Sequence, residues 1–133
     1  MAALTRREHE MHTVFVYGTL LEGEPNAYLL EDAEMIGDAE TEPAFRMLDM
    51  GPYPAAATPG KTQILGELYR VDRETLARLD HLEGVPRLYT RERIELADGS
   101  RAWIYLINPA AIDRRTPEIT SGDWRSYADS KSQ

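Results

Sequence analysis

The sequence has 133 residues, 42% hydrophobic and 29% charged, with no cysteine and a formal net charge of −8. That length and apolar content suit one domain with one ordinary core. The acidic balance speaks against nucleic acid and against anionic membrane, both of which call for a basic face. The missing cysteines exclude disulfides, thiolate nucleophiles and cysteine-based metal sites, in keeping with a cytoplasmic protein.

Residues 1–11 carry Arg6, Arg7, Glu8 and Glu10 and lack the apolar stretch of a secretory signal, so they are expected to be a mobile lead-in. No apolar run further on is long enough to span a bilayer. A first strand is expected over 12–17, where Val14, Phe15, Val16 and Tyr17 suit a strand covered on both faces. It runs into Gly18, Thr19 and Leu20. A glycine at a strand end can turn several peptide N–H groups toward one place, where they can hold a carboxylate or a carbonyl oxygen. A plain β-turn accounts for the same residues.

Asn26 is placed to cap a short helix through Ala27, Tyr28, Leu29 and Leu30. Extended segments are expected over 33–40 and 45–50. Between them and the next strand, Gly51-Pro52-Tyr53-Pro54 forms a stiff turning path. The apolar alternation of 62–71 reads as one strand, and Gly66 inside it marks a bulge or a place where another group comes close.

A helix follows, with Asp72 as N-cap and Gly84 as the residue past its end. At ~100° per residue, Leu76, Leu79 and Leu82 form a stripe and Glu83 falls inside it. A carboxylate on a buried helix face is uncommon unless it is paired or functional. Burial and the negative end of the helix dipole both raise its pKa toward the range of a general base. The alternative is that the helix frays before residue 83 and the side chain turns to solvent.

A second strand pair is expected over 89–97 and 101–108, joined by a hairpin turn at Asp98-Gly99, with Arg91, Arg93 and Glu95 on one face. The chain is then loop-like up to a segment around Trp124 and Tyr127 that packs down, and 128–133 is expected to be a mobile polar tail. Five or six strands with two or three short helices and no strict β-α-β alternation indicate an α+β fold on a mainly antiparallel sheet, a single domain over 12–127.

Other chemistry is thin. His9, His12 and His81 lack the spacing of a zinc helix. Thr19 has no activating base nearby in sequence and reads as a turn-stabilising hydroxyl. Tyr53, Tyr89 and Trp103 read as core or rim aromatics that could also line a pocket.

The turn Tyr17-Gly18-Thr19-Leu20, followed some sixty residues later by Leu79-Asp80-His81-Leu82-Glu83-Gly84 and then by Tyr89 and Arg91, resembles the gamma-glutamylcyclotransferase-like family, which includes AIG2-like and gamma-glutamylamine cyclotransferase proteins. The resemblance runs from about Thr13 to Tyr127 and takes in Gly51-Pro52-Tyr53-Pro54-Ala55 and the closing Ser121-Gly122-Asp123-Trp124-Arg125. It implies a partly closed barrel. It implies also that the loop Tyr17, Gly18, Thr19 and Leu20 binds the glutamyl part of a small-molecule γ-glutamyl substrate, and that Glu83 is the proton acceptor. In the implied reaction the substrate's own α-amine attacks its γ-carbonyl and releases 5-oxoproline and an amine, with no metal or organic cofactor. A non-catalytic module that binds a γ-glutamyl or amide ligand would use the same residues, as would a base that activates water or serves another acyl transfer.

Overall fold

The computed structural model describes residues 11–131. Apart from Met11, the expected lead-in therefore lies outside the described residues. In chain order the elements are β1 (His12–Val16), a 3-10 turn (Ala27–Leu30), β2 (Glu34–Glu40), β3 (Phe45–Asp49), β4 (Pro54–Thr62), β5 (Leu65–Val71), α1 (Arg73–Leu82), β6 (Tyr89–Glu95), β7 (Arg101–Ile107), a second 3-10 turn (Pro109–Ala111) and α2 (Trp124–Lys131). The strands among the described residues form one seven-stranded sheet in the order β2-β5-β1-β7-β4-β3, with β6 paired to β7 off that path.

The fold is α+β on a mainly antiparallel sheet, as the pattern of elements predicts. Its two parallel contacts, β1 with β7 and β4 with β7, each rest on a single residue pair, Val14 with Trp103 and Ala56 with Leu106. The sheet does not close into a barrel. Its nearest approach to closure is an isolated bridge between Thr41 and Leu96, beside which the Ala97 N–H donates to the Glu40 carbonyl at 2.9 Å. The β6–β7 hairpin pairs from Tyr89 with Ile107 to Glu95 with Arg101, the long-range pairing the sequence most plainly announces.

β1 is central and covered on both faces. Val14 and Val16 enter a core with Leu76 and Leu79 of α1. Phe15 and Tyr17 enter a second core with Ile104 and with Trp124 of α2. Successive strand residues point to opposite faces, so an unbroken apolar run serves both cores. Gly66 confirms the close-approach reading, because a Cβ there would lie 2.1 Å from the Val16 carbonyl oxygen.

β1 and β4 share one edge of β7 and diverge along it. Tyr17 spans the fork: its hydroxyl accepts from the Ala56 N–H at 3.0 Å and donates to the Tyr105 carbonyl at 2.7 Å. A side chain thus replaces the ladder bonds that two adjoining strands would have made. Tyr17→Phe leaves both backbone groups unpaired in a buried place, and should destabilise the protein by about 2 kcal/mol or more in urea denaturation. A loss under about 0.5 kcal/mol would mean that these groups find other partners.

Three expectations need correction. The strand expected over 62–71 is two: Thr62 ends β4, which pairs with β3, and after Gln63 and Ile64 the chain changes partners to become β5, which pairs with β1 and β2. The apolar alternation hides this switch, and β4 itself is masked by Pro54, Pro59 and Gly60. Pro59 and Gly60 are tolerated because the ladder is irregular between Phe45 and Arg46, opposite that stretch, and Pro54 because it is the first residue of the strand. Asn26 makes no side-chain cap on the 3-10 turn. Finally, the chain does not stop packing at Tyr127, since α2 continues to Lys131, whose Nζ lies 2.8 Å from the buried carboxylate of Asp49.

Candidate active site

Both ends of α1 are built as their sequence signals. The Asp72 carboxylate accepts from the Thr75 N–H at 2.7 Å, and Gly84 takes a positive φ of +65° just past the helix. Glu83 is the C-cap, still in right-handed helical geometry, with its N–H donating to the carbonyls of Leu79 and His81. Leu76 and Leu79 are buried. Leu82, expected with them, is instead 38% exposed and sits at the cavity mouth.

Glu83 lines a cavity of about 400 Å³ whose wall also contains Tyr17, Gly18, Thr19 and Leu20. The base and the loop expected from sequence therefore meet, although more than sixty residues separate them. Burial pushes the Glu83 carboxyl up from its ordinary 4.5 to about 7. Desolvation also raises three of the four tyrosines on the wall. The Tyr17 phenol is pushed up by burial, then by Tyr89 and Glu83, that of Tyr89 by burial and by Glu83, and that of Tyr105 by burial and by its hydrogen bond to Asp80. At neutral pH they stay protonated, so Glu83 is the wall's titratable group near pH 7.

Behind Glu83, one helical turn back, Asp80 accepts from Arg91 Nε at 2.9 Å and from the Tyr105 hydroxyl at 2.7 Å. These bonds tie the end of α1 to β6 and β7. Arg91 also lies over the Trp103 ring, 4.3 Å from its centroid. Of the three aromatics singled out in the sequence, Tyr53 and Tyr89 line the cavity, whereas Trp103 serves as the platform for Arg91 outside it.

The loop differs from expectation in how its glycine works. Gly18 is not among the glycines of positive φ. What it supplies is room, because a Cβ there would sit 2.6 and 2.7 Å from Cγ and Cδ of Pro54. The Leu21 N–H closes the turn on the Gly18 carbonyl at 3.0 Å. Asn26 holds Thr19 twice, by its N–H to the carbonyl at 2.8 Å and by Nδ2 to Oγ1 at 2.9 Å. The Thr19 hydroxyl is thus a turn-stabilising group. Among the hydrogen bonds of the described residues none uses the N–H of Gly18, Thr19 or Leu20. Consecutive N–H groups without a partner among the described residues, in a loop that lines a cavity, can hold an anion.

Sequence reasoning missed several residues here. Glu67 on β5 is a buried carboxylate, 4% exposed, whose Oε1 accepts from the Glu22 N–H at 2.9 Å and from the Tyr69 hydroxyl at 3.2 Å. It shares a strand face with Tyr69 and Val71, the same kind of misplaced charge that flags Glu83. Arg125 of α2 reaches Glu67 Oε2 at 3.1 Å and also donates to the Glu22 carbonyl. At the other end of α2, the Tyr127 hydroxyl and Lys131 Nζ bond Asp49 at 2.6 and 2.8 Å, and the other Asp49 oxygen accepts from the Gly51 N–H at 2.7 Å. Burial would raise the Asp49 carboxyl, but these bonds outweigh it and hold it below the usual carboxylate value.

A sheet forked around a tyrosine thus brings a carboxylate at a helix end and a strand-end loop to the wall of one cavity. The family model of gamma-glutamyl cyclotransferase, AIG2-like proteins matches residues 14–126, and the chain belongs to that family. A relative from Vibrio cholerae serotype O1 is 44% identical over 113 residues, covering 85% of this chain and 95% of its own. The gamma-glutamylcyclotransferase family protein YtfP of Escherichia coli strain K12 is 35% identical over 111 residues, covering 84% and 94%. The crystal structure of an AIG2-like protein from Mus musculus superposes with a TM-score of 0.77 at 28% identity, covering 86% of this chain and 90% of that one. No helix among the described residues is long and apolar enough to cross a membrane.

Proposed function

We propose that the protein is a γ-glutamyl cyclotransferase that cleaves a γ-glutamyl amide by intramolecular attack. What supports this reading is one cavity of about 400 Å³ lined both by Glu83, its carboxyl pKa raised to about 7, and by Gly18, Thr19 and Leu20, whose N–H groups have no hydrogen-bond partner among the described residues. In the reaction, Glu83 takes a proton from the substrate's α-ammonium, and the freed amine attacks the γ-carbonyl carbon. The five-membered ring closes as the bond from that carbon to the leaving nitrogen breaks; Glu83 gives its proton to the leaving nitrogen, then takes the second proton that the ring nitrogen sheds and passes it to the departing amine, which leaves as an ammonium. The products are 5-oxoproline and an amine; no water, metal or redox partner is consumed.

The N–H groups of Gly18, Thr19 and Leu20 hold the α-carboxylate, which lets an acidic protein take an anionic group without a cation in the wall. Bending the glutamyl chain against the tyrosine wall supplies orientation, the main requirement of a ring closure. The test is incubation with γ-glutamyl dipeptides, γ-glutamylamines and isopeptides, with 5-oxoproline followed by mass. Its release is expected from at least one class. Saturable binding without 5-oxoproline from any of them would overturn turnover in favour of a binding module.

A further inference from the structure

We propose that Arg125 is a positioning residue for the loop that holds the substrate's α-carboxylate, acting through the buried carboxylate of Glu67. This rests on the cyclotransferase reading. A row of free N–H groups selects an anion only while the loop keeps its shape, and the bonds that keep it come from two sides. On one side, Asn26 holds Thr19. On the other, both backbone polar groups of Glu22 are held by the Glu67–Arg125 pair, the N–H by Glu67 Oε1 and the carbonyl by Arg125 Nη2. That same nitrogen bonds Glu67 Oε2 at 3.1 Å.

Glu67 is 5% exposed at its side chain, so Arg125 is its counter-charge as well as the partner of the Glu22 carbonyl. Removing the guanidinium leaves a buried carboxylate uncompensated and a loop carbonyl unpaired at once. Arg125 itself adds little to the core, being 40% exposed at its side chain, whereas its neighbour Trp124 is buried. Its loss is therefore felt at the loop.

The experiment compares kcat/KM for a γ-glutamyl amide and for the same compound with its α-carboxylate converted to a carboxamide, in wild type and in Arg125→Ala. Wild type should favour the carboxylate, and Arg125→Ala should lower that preference at least tenfold at a temperature where its melting curve shows it folded. Arg125→Lys keeps a positive charge opposite Glu67 with a different reach, and its preference should lie between the two. It carries the same comparison if the alanine variant does not fold. An unchanged preference in the folded variants overturns the role of Arg125, while continued 5-oxoproline release leaves the cyclotransferase reading standing. Equal rates on the two compounds in wild type overturn it in the same way, by placing the carboxylate away from the loop. No 5-oxoproline from either compound overturns the cyclotransferase reading and this proposal with it.

Discussion

Glu83→Gln is expected to keep the fold and lower kcat by about 10²–10⁴-fold, the range a positioned general base supplies. The amide matches the carboxyl in shape and cannot take a proton near neutral pH. In the wild-type protein kcat/KM should rise with pH through about 7, as the Glu83 carboxyl loses its proton, and the variant should lack that limb. The same shift has a sign for stability. The folded-state pKa lies above the ordinary 4.5, so the folded protein holds a proton that the unfolded chain releases first. Stability therefore falls as pH rises from about 4.5 to about 7, and the cost stays constant above that. The half-buried side chain keeps some solvent, so at most about 3 kcal/mol is involved. Glu83→Gln escapes this cost, so it should resist urea better than wild type at pH 8 and equally at pH 4. Wild-type turnover in Glu83→Gln would remove Glu83 from the mechanism.

Gly18→Ala should show the second large effect, by a different route from the one a glycine turn first suggests. The residue is not in a left-handed conformation, so alanine brings no backbone strain. Its methyl group would meet the Pro54 ring at 2.6 and 2.7 Å. Pro54 is buried at the start of β4, its carbonyl accepting from the Tyr89 hydroxyl at 3.3 Å, so the loop is what gives way. Overpacking of this kind costs about 1–3 kcal/mol. Displacing the N–H groups should lower kcat/KM by about 10²-fold in protein that is still folded. Adding Pro54→Ala removes the atoms in the way and should restore part of both losses. An earlier melting point with unchanged kcat/KM would make the loop a turn and nothing more.

How far the sequence reached depended on whether a signal was local. The first strand, the capped α1, the β6–β7 hairpin and the inward Glu83 are each set by a few neighbouring residues, and each stands where expected. The meeting of Glu83 with Gly18, Thr19 and Leu20 came from family resemblance, because no periodicity relates residues so far apart. β4 was illegible because its two prolines, its glycine and its three alanines are all poor strand formers. Asn26 looked like a helix cap because its side chain suits a cap and a loop brace equally well. Arg125 lies in the segment around Trp124 and Tyr127 expected to pack down, but nothing local says which groups it meets, and only the fold brings it to Glu67 and Glu22.

The fork at Tyr17 has a consequence for how the cavity breathes. The Ala56 amide donates to a phenol oxygen, where its neighbours in a sheet would donate to carbonyls. A ladder bond opens only when strands part, which is a cooperative event close to global unfolding, whereas a phenol can be withdrawn by a swing of one side chain. Hydrogen exchange at Ala56 therefore clocks the opening of the cavity wall, while exchange elsewhere in the β3–β4 pairing clocks the fold.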